Sequence, residues 1–128
     1  MKKERFSVQE YFSHIKQSIE KIENYTQNVS CLDEFLANPM ICDAVIRNIE
    51  IIGEASNNIR KEYPQFLENH TEIAQTLRSA YEMRNSVIHG YIEVDYNIVY
   101  RTIELSLPAF KEQIYNLDNE EINQSPEE

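Results

Sequence analysis

The stretch "MRNSVIHGY", Met83–Tyr91, places three chemically useful side chains within eight residues: Arg84, His89 and Tyr91. Arginine is a planar, permanently charged fork that can hold a phosphate or carboxylate through two parallel hydrogen bonds. Histidine changes charge near neutral pH, so it can give or take a proton during a reaction. Together the pair could grip an anionic group and move protons around it. Tyr91 adds a phenolic hydroxyl two residues beyond the histidine. Each residue also has a plainer role open to it. The stem of Arg84 could cover apolar surface while its guanidinium reaches an acid such as Asp43 or Glu50. His89 could be a cation at the negative end of a helix. Tyr91 could simply lay its ring over the fold, as could any of the chain's 8 tyrosines.

Such residues need a scaffold, and hydrophobic periodicity predicts one made of four helices. Ser7 and Glu10 form a capping-box pattern, after which Val8, Phe12, Ile15, Ile19 and Ile22 recur at spacings of four and three. The segment "CLDEFLAN" reads as a short turn. Asn38 and Pro39 then read as an N-cap and first helical residue, opening a helix that Tyr63–Pro64 ends. Its apolar stripe is Ile41, Val45, Ile49 (or Asn48), Ile52 and Ile59. Gly53 lies among small residues, the pattern that lets a neighbouring helix come close. A third helix starts near Thr71 and carries Ile73, Leu77, Ala80, Arg84 and Val87 on one stripe. Gly90 suits the residue that closes it. The fourth starts at Asp95 and carries Ile98, Ile103 (or Thr102), Leu105 and Phe110, with a kink expected at Pro108. Long helices with short connections predict an all-α, antiparallel four-helix bundle.

Composition agrees with that architecture. The 128 residues suit one domain and hold only 2 glycines and 4 prolines, with 41% hydrophobic residues. No run is long and apolar enough to predict a membrane span, and no apolar leader follows the basic start. Cys31 and Cys42 lack metal-ligand spacing, so no metal or other cofactor is expected; reduced thiols and a cytoplasmic location are. The formal charge is −10. Residues 118–128 carry five acids and no base, which predicts a disordered acidic tail after a helical domain over residues 1–117. The rest stands at −5, without a basic stripe. Broad, charge-driven nucleic-acid binding is therefore not expected, whereas one local phosphate site is not excluded.

The run "RNSVIHGY" resembles the Arg-x4-His-x-Tyr signature of the HEPN superfamily, and specifically its HepT-like toxins. The similarity extends to "IEIIGEASNNI" and "MRNSVIHGYIEVDYNIVYRTIELSLPAFKEQI", and covers most of residues 6–116. It implies a dimerising four-helix bundle and a metal-independent RNA endonuclease, the toxin of a type VII toxin–antitoxin system. Arg84 and His89 match the family's catalytic arginine and histidine, and Asn85 its usual polar residue after the arginine. Tyr91 matches the tyrosine on which a partner acts. That partner is an MNT-type minimal nucleotidyltransferase antitoxin, which moves AMP from ATP to the tyrosine and silences the toxin. The implied substrate is RNA.

Cleaving RNA through its 2′-hydroxyl needs proton transfer and a cation for the phosphorane, which His89 and Arg84 could supply. One histidine does not easily serve as base and acid at once. Moreover, five residues on an ideal helix separate Arg84 and His89 by about 140°. Either distortion at the helix end or a second subunit must bring them together, and a homodimer supplies a second His89. Two other classes stay open: a non-catalytic HEPN-like subunit that binds substrates for, or regulates, a nucleotidyltransferase, and a plain helical dimerisation protein. Neither needs the Arg-x4-His pair.

Overall fold

Ser7 opens the first helix with a reciprocal cap. Its Oγ accepts from the Glu10 N–H at 3.1 Å, and its own N–H donates to Glu10 Oε1 at 2.8 Å. Two of the donors left over at the helix start are thereby satisfied. The computed structural model describes residues 6–89 and 94–124, with the side chains of 88, 89 and 120–124 not described. Among the described residues there are helices and no strands. They are α1 (Val8–Tyr25), α2 (Leu32–Leu36), α3 (Pro39–Glu62), α4 (Pro64–Asn69), α5 (Thr71–His89), α6 (Tyr96–Arg101) and α7 (Leu107–Gln124), with a π turn at Thr102–Ser106 joining the last two.

The long elements form the expected bundle, with α3 at its centre between α1 and α5 and α7 against both of those flanking helices. Near the start of α1, Tyr11 donates its hydroxyl to Glu62 at the end of α3 (2.9 Å), so these two helices run antiparallel. The core is built from Ile15, Ile19 and Ile22 of α1, Val45 and Ile59 of α3, Leu77 of α5 and Ile114 of α7, all essentially inaccessible. Each such side chain contributes about 1.5–3 kcal/mol by leaving water. No helix among the described residues is long and apolar enough to cross a membrane. Cys31 is exposed and Cys42 buried, both unpaired. Burial raises the Cys42 thiol above its ordinary range, with Asp43 adding to the effect.

Several boundaries differ from expectation for identifiable reasons. The turn at "CLDEFLAN" contains the helix α2, whose Phe35 is fully buried. Asn38 stands at the N-cap of α3 but does not cap it; its Nδ2 donates back to the Glu34 carbonyl instead. Pro64 ends α3 and also opens α4, since proline costs nothing at a first helical position.

The fourth helix departs most. Pro108 cannot donate to the ladder, and its ring would crowd the Glu104 carbonyl. The chain answers with the π turn, in which the Leu107 N–H reaches the Thr102 carbonyl five residues back. The extra residue shifts the apolar phase. Val99, Leu107, Phe110, Ile114 and Leu117 point inward, while Ile98 and Leu105, both expected on the stripe, are exposed. Helix α7 also continues to Gln124, beyond residue 117, where the helical domain was expected to end. Polarity alone does not end a helix, and no glycine or proline occurs after Pro108 until Pro126.

Candidate functional site at Arg84

Gly53 explains how Arg84 is placed. A Cβ built on Gly53 would overlap the Cβ of Arg84, lie 2.8 Å from its Cγ and 3.0 Å from the Ala80 carbonyl oxygen. The close approach expected at this glycine is therefore real, and the group approaching is the candidate catalytic arginine. Its stem lies across α3 where any side chain would obstruct it. With the stem fixed, the guanidinium reaches Glu54, the next residue on α3, and not Asp43 or Glu50. Nη2 donates to Glu54 Oε1 at 2.9 Å, and Nη1 to Asn85 Oδ1 at 3.1 Å. The Nε–H is buried with no partner among the described residues.

The Arg84 side chain is 25% exposed and that of Glu54 62%. An ion pair this wet contributes at most about 1 kcal/mol. Glu54 therefore orients the fork without holding it firmly against an incoming anion. Asn85 braces the other terminal nitrogen.

Arg84 sits on a cleft of about 410 Å³ between α1, α3 and α5. Arg47, Glu50, Glu54 and Asn58 line it from α3, and Tyr11 and His14 from α1, with Phe6 at the edge. Arg47 and Glu50 form a long, exposed ion pair at 3.8 Å. A second cavity of about 200 Å³ lies between α3, α5 and α7, around Ile52, Met83, Leu107 and Phe110. It has no charged lining residue, so of these two the cleft at Arg84 is the one equipped for an anionic ligand. Among the described residues, no group of three or more His, Cys, Asp or Glu is arranged to hold a metal ion.

His89 is the last described residue of α5, so the closing role expected of Gly90 lies outside the described residues. Because α5 remains helical through His89, the positions of Arg84 and His89 stay about 140° apart round its axis. Distortion within the helix does not bring them together. Gly90 and Tyr91 lie outside the described residues.

Sequence reasoning missed Glu54, His14 and the α3 wall of the cleft. A signal was present, since Arg47, Glu50, Glu54 and Asn58 recur at spacings of three, four and four, a polar stripe along one face of the helix.

Residues 15–117 match a protein family described as ribonuclease HepT-like. A Thermococcus cleftensis protein named "Probable ribonuclease HepT" is 36% identical over 105 residues, covering 82% of this chain and 90% of that protein. A Methanocaldococcus jannaschii protein whose name joins "Gamma-glutamylcyclotransferase and putative RNase" is 37% identical over 116 residues. That match covers 91% of this chain but 50% of the longer relative. A "Putative RNase" of Caldanaerobacter subterraneus is 33% identical, covering 81% of this chain and 88% of its own length. No solved structure matches the chain significantly. The helical architecture and the extent of these matches agree, and the chain belongs to the HepT-like ribonuclease family.

Proposed function

We propose that this ribonuclease is the toxin of a toxin–antitoxin pair, a metal-independent RNA endonuclease whose site is shared across a homodimer. The observation that carries the reading is the placement of Arg84. It is a guanidinium seated over Gly53, held by one exposed acid and one amide, at the mouth of a cleft. In the proposed reaction the RNA 2′-oxygen attacks the adjacent phosphorus, and the bond from phosphorus to the 5′-oxygen breaks. His89 of one protomer takes the 2′-hydroxyl proton, and a protonated His89 of the partner subunit supplies one to the departing oxygen. Arg84 leaves Glu54 to hold the non-bridging oxygens as their charge grows. The continuity of α5 supports the two-subunit arrangement, because one helix keeps these positions apart.

Control is proposed to act through Tyr91. Tyr91 comes two residues after His89, near enough in sequence for a group attached to it to reach the site. Adenylylation by an MNT-type nucleotidyltransferase would put a phosphate anion there to compete for Arg84. This pairing requires RNA and ATP, hence a cytoplasmic setting. Incubation with a cognate nucleotidyltransferase and ATP should raise the intact mass by one or more AMP units, mapped to Tyr91, and stop RNA cleavage. Tyr91→Phe should still cleave but escape silencing. AMP on another residue, or a catalytically silenced Tyr91→Phe protein, contradicts this account of control.

A further inference from the structure

The Arg84 cleft carries a set of rings that the proposed proton and charge chemistry does not use. Phe6, Tyr11 and His14 line the same cleft as Arg84. Phe6 and His14 meet at 4.8 Å between ring centroids with planes 86° apart, and Phe6 and Tyr11 at 5.5 Å and 74°. Tyr11 and His14 complete the set at 6.3 Å and 87°. The cluster is anchored from behind. Tyr63 donates its hydroxyl to the Phe6 carbonyl at 2.6 Å, and the Tyr11 hydroxyl is held by Glu62. Phe6 is nevertheless 50% exposed. A large ring fixed in place yet left half in water forgoes burial that a core position would give it. In an edge-to-face pair, one ring contributes only its edge, so its faces are not consumed by the contact.

We infer that Phe6 and His14 form a stacking surface for an unpaired nucleobase of single-stranded RNA, next to the phosphate that Arg84 holds. The position of that phosphate rests on the nuclease reading of Arg84; the stacking surface itself does not. Charge makes such a surface necessary. At −10 overall, with Glu50 and Glu54 in the cleft, the protein gains little affinity from the counterion release that serves basic RNA binders. Stacking of bases on aromatic rings is independent of that term, tolerant of sequence, and demands unpaired bases. Arg47, 72% exposed and only loosely paired with Glu50, is available for a flanking phosphate.

The test measures binding of a short single-stranded RNA with 2′-O-methyl sugars, which lacks the attacking hydroxyl, to the full-length protein. The same backbone with abasic positions is measured beside it. The base-bearing strand should bind about tenfold or more tightly than the abasic one. Phe6→Ala and His14→Ala should largely erase that difference, and His14→Phe, which keeps a ring, should preserve it. Circular dichroism checks the fold of each variant, and the wild-type comparison needs no variant. Equal binding of the two strands, binding of neither, or alanine variants that still discriminate would overturn the inference. So would a His14→Phe protein that loses as much as His14→Ala, because the imidazole itself would then be required. The nuclease reading fails separately, if unmodified RNA is cut equally well by Arg84→Ala protein.

Discussion

At the scale of single residues, the functional question turns on how an arginine is kept both fixed and available. Gly53 fixes the stem of Arg84, Asn85 and Glu54 orient its fork, and the exposure of Glu54 keeps the ion pair exchangeable. A lysine would keep the charge but lose the planar, bidentate geometry. Arg84→Lys should therefore lose about 100-fold in kcat, the scale of one transition-state contact, with unchanged helical circular dichroism. Cleavage within a fewfold of wild type would mean that only a point charge is needed. Arg84 stood out in the sequence because its type and its spacing to His89 and Tyr91 are unusual together. Glu54 was not, because its link to Arg84 runs across 30 positions and only the helix crossing at Gly53 creates it.

Among the elements, α3 and α5 matter most, and their crossing depends on a missing side chain. Gly53→Ala would gain up to about 1 kcal/mol of helix propensity. It would also drive a methyl into the Cβ of Arg84, which cannot swing away as the end of a long chain can. Overpacking of this kind costs about 1–3 kcal/mol, so the variant should be less stable in urea and should lose activity as Arg84 shifts. A variant as stable as wild type and fully active would show that the close approach is not required. The three helices α1, α3 and α5 were legible from periodicity, and α1 also from its cap, since each keeps one uninterrupted 3.6-residue phase. The fourth was legible only as a helix. Its facing residues were misassigned because the π turn before Pro108 resets the phase, which no fixed-period stripe can anticipate. Likewise α2 is too short, at Leu32–Leu36, for periodicity to separate it from a turn.

For the whole molecule, the central claim is that two copies of this chain make one RNA-cleaving site. Light scattering at micromolar concentration should give twice the chain mass of 15.1 kDa. A monomer would contradict the shared site, because α5 alone keeps Arg84 and His89 about 140° apart. The acidic charge sets a further condition on the assembled protein, which must recognise RNA through local contacts and not through a broad basic surface. The most direct test is RNA cleavage by purified wild-type, Arg84→Ala and His89→Ala proteins in the presence of EDTA. Wild-type protein should cut RNA under chelation, because in the proposed mechanism the arginine and two histidines supply the cation and the proton transfers. Each variant should be inactive with its helical circular dichroism intact. Cleavage that stops with EDTA and returns with magnesium, or that survives in either variant, would contradict the account.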